Sequence, residues 1–153
     1  MSHLAIRIYG DPVLRQKATP IKEIDRRIKR LARYMEEAME KANGVGLAAP
    51  QVGVSERLII VKMKDSIILV NPVITYMDGE VLEEEGCLSI PNIVGEVTRA
   101  SKVRVRGIDI TGKEIELEAT DLAARAFQHE IDHLDGILFI DRAVSVRRVE
   151  KSE

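Results

Sequence analysis

A chain of 153 residues, 45% hydrophobic and 31% charged, has the composition of a globular protein and is long enough for one domain with its own core. Its net charge of −2 argues against a nucleic-acid footprint or a membrane-surface patch, and no apolar run approaches the ~18 residues of a spanning helix. The single cysteine, Cys87, excludes an internal disulfide framework, and the opening Met1–Arg7 lacks the apolar region and cleavage site of a signal peptide, so a cytoplasmic location is expected.

Turn signals come first, at Gly10-Asp11-Pro12 and Thr19-Pro20. Ile24, Ile28, Leu31, Met35, Ala38 or Met39, and Ala42 then recur at helical spacing, which predicts a long helix from Asp25 to Ala42. Asp25 is placed to cap its start and Asn43-Gly44 to end it. The Ile and Met stripe reads as core and not as a cofactor groove. In the following Gly44–Gly53 the small residues leave room for another backbone. The glycine spacing does not match a phosphate loop, and no Lys-Ser/Thr pair follows.

Arg57–Lys62 and Ile67–Asn71 are short runs rich in β-branched residues and read as strands. Glu84–Pro91 comes next and holds Cys87, which alone is either a small buried hydrophobe or a ligand. Val103–Arg106 and Ile108–Ile110 alternate on opposite parity, so Gly107 is expected to be a bulge that resets the face. Thr111-Gly112-Lys113 predicts a hairpin turn into Ile115–Leu117. Strands precede the last helix instead of alternating with helices. The fold class expected is therefore α+β, with mostly antiparallel strands around a central helix and a long N-terminal helix, in one domain over residues 1–153.

That central helix carries His129-Glu130-Ile131-Asp132-His133. Positions i and i+4 share a helix face, so the two imidazoles can grip one metal ion, with Glu130 close to a water on it. Thr120 or Asp121 can cap the helix start and Gly136 its end. Leu122, Ala126, His129 and His133 fall on one stripe, expected to face the interior. The plainer reading is two surface histidines on an amphipathic helix. Two histidines need a third protein ligand to make an open catalytic centre, and the thiolate of Cys87 is a suitable one.

Three separated segments agree here. Gly44-Val45-Gly46-Leu47-Ala48-Ala49-Pro50-Gln51, Glu85-Gly86-Cys87-Leu88-Ser89 and Gln128-His129-Glu130-Ile131-Asp132-His133 resemble the three signature motifs of the peptide deformylase family, in the family's order. The opening Gly10–Arg15 resembles it too. The resemblance implies that Cys87, His129 and His133 hold a divalent metal with the fourth position left to water. It implies that Glu130 is the general acid/base, and that Gln51 and the backbone N–H of Leu88 donate to the oxyanion. The implied metal is Fe²⁺, with Zn²⁺, Ni²⁺ or Co²⁺ also able to occupy the site. The implied substrates are N-formylmethionyl nascent peptides, which would bring the protein transiently to the ribosome.

The residue types suit such chemistry on their own. Amide hydrolysis at neutral pH needs an activated water, a proton carrier and donors aimed at the developing oxyanion. Val45, Leu122 and Ala126 are candidate walls for a methionine side chain, or else plain core. Backbone groups at Gly46 and Ile90 are candidates for pairing with the peptide as an added strand. Asp132 is a candidate to orient a ligating histidine.

Two features depart from the family pattern. Pro91–Arg99 lacks the basic residue that some members carry just after the second motif, and Ser145–Lys151 is short and charged, expected to be a frayed turn where relatives continue into a helix. The competing functions are a general H-E-x-x-H metallopeptidase, whose third ligand would be Asp135 or Asp141, and a non-catalytic peptide-binding or metal-sensing relative.

Overall fold

Asp25 opens the long helix as expected. Its Oδ1 accepts the Ile28 N–H at 3.0 Å, and helix α1 runs Arg26–Lys41. Asn43, at φ 56, supplies the left-handed residue that closes it, with the Gly44 N–H donating to the Met39 carbonyl at 2.9 Å. Ile28, Leu31, Ala32, Met35 and Met39 form its buried face. The computed structural model describes residues 5–150, so Lys151 of the C-terminal stretch lies outside the described residues.

Strands β1 (Gly46–Ala48), β2 (Leu58–Lys62), β3 (Ser66–Asp78), β6 (Lys102–Ile108) and β7 (Glu114–Thr120) make an antiparallel five-stranded sheet in the order β1-β2-β3-β6-β7. Strands β4 (Val81–Cys87), β5 (Ile90–Arg99) and β8 (Ser145–Arg148) make a second, three-stranded one. The continuous apolar run of β2 follows from burial on both faces. Ile59 and Val61 pack towards helix α2 (Asp121–Leu134), while Leu58 and Ile60 pack towards α1. Fully buried side chains such as Phe127 on α2 and Met35 on α1 each contribute roughly 1.5–3 kcal/mol against exposure. A third cluster of Leu14, Ile90, Val97, Leu138 and Phe139 fills the space beside the smaller sheet, where the short helix α3 (Phe139–Arg142) lies.

Three expectations need correction. Gly107 is paired in regular register with Ile115, and the shifts lie on β3, between Val70 and Val73 and between Ile74 and Tyr76. Asn71, at φ 51, takes the irregular position, and its amide clasps both backbone groups of Ile21 at 2.8 and 2.9 Å. Gly107 is small for a different reason: a Cβ there would come within 3.3 Å of the Leu69 side chain. The C-terminal stretch is a strand and not a frayed turn. Strand β5 needs a partner on its second edge, Arg147 pairs with Glu84 at 2.8 Å, and the bare Gly95 lets the Ser145 backbone approach. Leu122 does not face the interior; it lies in the first turn of α2, 62% exposed, beside the cleft.

No helix among the described residues is long and apolar enough to cross a membrane.

Candidate metal centre

Helix α2 carries His129, Glu130 and His133 into the protein. Thr120 sits at its N-cap position, and Gly136, at φ 74, terminates it with the Ile137 N–H on the Asp132 carbonyl at 3.0 Å. Cys87 arrives from the other sheet, at the end of β4 where the chain turns into β5. One ligand atom from each of Cys87, His129 and His133 lies within 4.8 Å of the others. Cys87 Sγ and His133 Nε2 are 3.4 Å apart. A tetrahedral centre with metal–sulfur ~2.3 Å and metal–nitrogen ~2.0–2.1 Å places such atoms at about that separation.

His129 Nδ1 faces Glu85 Oε1 at 2.9 Å, so in the neutral ring that a metal would need, Nδ1 keeps its proton and Nε2 is the donor atom. The ring stacks on Phe139 of α3 with centroids 6.2 Å apart. Burial, together with the charges of His129 and Arg99, pushes His133 well below the ordinary imidazole range, so the ring is neutral, as a metal ligand has to be. For His129 burial acts downward, but Cys87, Glu85 and Glu130 outweigh it and hold the ring well above that range. A cluster that draws a proton onto one of its imidazoles favours positive charge among its donors. One sulfur and two neutral imidazole nitrogens are the donor set of a borderline divalent cation, so the residues fit a metal.

Glu130 is buried at the wall of the cleft, and burial pushes its carboxyl up to about 7, opposed by the charge on His129. Its Oε1 is buried without a protein hydrogen-bond partner among the described residues. Gly46 of β1 makes the room: a Cβ there would stand 2.8 Å from Glu130 Oε2. Gln51, in the 3₁₀ turn Ala49–Val52, is 1% exposed. Its Oε1 accepts the Ala48 N–H at 2.9 Å, which aims Nε2 at Ser89 Oγ (3.2 Å) and Cys87 Sγ (3.5 Å). Leu88 follows Cys87 in the hairpin turn, its side chain against Gly44.

These groups open onto a cleft of about 550 Å³ whose lining includes Val45, Gly46, Gln51, Leu122, Ala126 and Glu130. Val45 is 44% exposed and Leu122 62%, so both stand at the mouth, whereas Ala126 is buried at 5% on the floor. Every site residue read from the sequence therefore meets in one place. The exception is Asp132, which contacts neither histidine and binds Arg99 at 2.7 Å and Arg142 at 2.6 Å. It lies three residues beyond His129, on the side of α2 that faces those arginines. Asp135 and Asp141, the alternative third ligands, are engaged by Arg57 and Arg15 respectively.

Four residues around the centre were given no role from the sequence: Glu85 and Ser89, which the second motif contains, and Arg99 and Arg125. Arg99 holds Glu85 through Nε at 2.8 Å and Nη2 at 3.1 Å, and Arg125 holds it at 2.6 Å. Despite burial, hydrogen bonds from His129 and Arg99 bring the Glu85 carboxyl down to about 2. Glu85 and Ser89 stand two residues either side of Cys87. On the alternating strand Glu85 shares a face with the thiol, a signal that could have found it.

A family model described as polypeptide deformylase matches residues 3–149. A peptide deformylase of Thermodesulfovibrio yellowstonii is 51% identical over 97% of this chain and 93% of its own length. One of Halothermothrix orenii is 53% identical over 95% and 97%. Among solved structures, a peptide deformylase from Thermotoga maritima superposes with a TM-score of 0.91 at 41% identity, covering 95% of this chain and 100% of that one. A peptide deformylase from Synechococcus elongatus in complex with actinonin gives 0.90 at 41% identity, covering 93% and 79%.

Proposed function

We propose, from the premise that this chain belongs to the polypeptide deformylase family, a specific division of labour among its site residues. The chain is a metal-dependent hydrolase that removes the formyl group from nascent peptides. The single observation that carries the site is the convergence of the Cys87, His129 and His133 ligand atoms beside Glu130 at the cleft.

Cys87, His129 and His133 hold the metal, which we assign as Fe²⁺; Zn²⁺, Ni²⁺ and Co²⁺ suit the same donors. A divalent cation there supplies Lewis acidity, bringing the pKa of a water towards ~7 and polarising a formyl oxygen. Glu130, with its carboxyl near 7, takes the proton as the water oxygen adds to the formyl carbon. The oxyanion so formed accepts hydrogen bonds from the Gln51 amide, already aimed at Cys87, and from the Leu88 N–H. Glu130 returns its proton to the α-amine as the carbon–nitrogen bond breaks, releasing formate and the free methionyl end.

The methionine side chain lies against Val45, Leu122 and Ala126, which line the cleft. Strand β1 is the edge of its sheet and borders that cleft, which supports pairing of the peptide backbone with Gly46 and with Ile90 across from it. Residues 1–153 act as one catalytic domain, a reading supported by the family match over 3–149. Since the substrates are nascent chains, the protein meets them in the cytoplasm and visits the ribosome transiently.

The test is anaerobic purification with metal analysis, followed by turnover of formyl-Met-Ala-Ser. Stoichiometric iron and formate release that Glu130→Ala abolishes are expected. Full activity in Glu130→Ala would refute the acid/base assignment.

A further inference from the structure

Arg125 is 6% exposed, one turn before His129 on α2, and no step of the proposed chemistry uses it. Its guanidinium serves three acceptors. Nη1 donates to Glu85 Oε2 at 2.6 Å and to the Val97 carbonyl at 2.9 Å, and Nη2 donates to the Val81 carbonyl at 2.7 Å. All three acceptors belong to β4 and β5, the hairpin whose tip carries Cys87. Val81 begins β4, Val97 lies opposite Glu83, and Glu85 is two residues from Cys87, so the grip runs from the base of that hairpin almost to its tip.

The two halves of the metal centre belong to different layers. Helix α2, with both histidines, is packed on the five-stranded sheet through Ala124, Phe127 and Leu134. The thiol comes from the three-stranded sheet. Arg125 crosses from one layer to the other, and lies on the same helix face as His129, four residues on. A planar guanidinium can reach acceptors on two strands at once, whereas an ammonium is a point charge on a flexible stem. Arg125 lines the cleft, and among the described residues Glu85 is the only cleft-lining side chain it hydrogen-bonds.

We propose that Arg125 is a positioning residue that holds the Cys87 hairpin in place against His129 and His133 and so sets how tightly the metal is bound. This rests on the metal site assigned above.

The test is Zn²⁺ affinity of the purified, metal-stripped full chain, measured by chelator competition for the wild type, Arg125→Met, Arg125→Lys and Cys87→Ala. Methionine keeps bulk and removes every donor. Arg125→Met should bind Zn²⁺ about 10–100-fold more weakly, the range typical of losing a group that supports a ligand, with Arg125→Lys in between. In the Co²⁺-loaded protein the thiolate-to-metal absorption band should weaken or shift in the same order. A purely structural role would lower the unfolding midpoint of the metal-free protein and leave affinity alone. Folded Arg125→Met within twofold of wild-type affinity overturns the proposal, whatever happens to KM. If Arg125→Met does not fold, the same criterion applied to Arg125→Lys decides. Equal Zn²⁺ binding by the wild type and Cys87→Ala would instead refute the metal site itself, and the proposal with it.

Discussion

Glu85 and His129 meet at 2.9 Å, and the carboxylate that steadies the imidazole is itself clamped by Arg99 and Arg125. Its side chain is 4% exposed. Removing it with Glu85→Ala takes the close carboxylate from buried Arg125, leaves Arg99 with Asp132 alone, and frees the His129 ring. A broken buried ion pair costs about 3–5 kcal/mol, so urea denaturation of the metal-free variant should show a loss of that size. A loss below about 1 kcal/mol would show that the clamp is solvated and not buried.

The same carboxylate makes stability depend on acid. Its folded pKa, about 2, lies below the unfolded value of 4.5, so the unfolded chain binds the extra proton first. Stability from this group is therefore whole above about pH 4.5 and is lost as pH falls from there towards 2, by an amount on the order of 3 kcal/mol. Comparing unfolding free energies of the wild type and Glu85→Gln between pH 6 and pH 3 isolates it. The wild-type curve should fall more steeply, and parallel curves would contradict the assignment.

Gly46→Ala tests how closely β1 approaches the catalytic carboxylate. The added methyl would stand 2.8 Å from Glu130 Oε2 and 3.0 Å from its Cγ, inside any normal contact. Glu130 lines the cleft on one side and is packed on the others, so its displacement should misplace the proton carrier. General acid–base catalysis is worth about 10²–10⁴-fold, and a fall in kcat of about 10² or more is expected with metal content unchanged. Unaltered kcat would mean that Glu130 tolerates movement and is not held in a working position.

Much of this centre was legible because its residue types are rare in the chain and fall at diagnostic spacing. Two of the three histidines sit four apart, and the one cysteine lies in a glycine-flanked turn. The long helix α1 was legible from its apolar period and its Asp25 cap, both local properties. What stayed hidden depends on the third dimension. Asp132 neighbours His133 in sequence but points along the helix towards Arg99 and Arg142, while Glu85, forty-four residues from His129, supplies the contact. The parity change near Gly107 is not a bulge: β6 keeps its alternation, Val103 and Val105 face the core under α2, and Ile108 and Ile110 pack on the core under α1, which only the three-dimensional packing shows. Strand β8 was unreadable because Ser145–Arg148 has no apolar alternation of its own. Its order comes from the open edge of β5 and the pairing of Arg147 with Glu84.

Gln51 and Ser89 separate orientation from donation. The Gln51 amide nitrogen sits 3.2 Å from Ser89 Oγ and 3.5 Å from Cys87 Sγ, while its oxygen is committed to the Ala48 N–H. Gln51→Glu keeps the shape and the contact to Ala48, but puts an acceptor where the oxyanion needs a donor. Losing one such donor typically costs about 10²–10³ in kcat, with KM changed far less. Ser89→Ala leaves the amide in place and removes only one of its partners, so its effect should be smaller, a few-fold to about 10-fold in kcat, because the Ala48 contact still orients the side chain. Steady-state kinetics on a formyl-Met peptide with matched metal loading decides the order. If Ser89→Ala were the more damaging, the hydroxyl itself would be touching the reacting atoms and Gln51 would be its support.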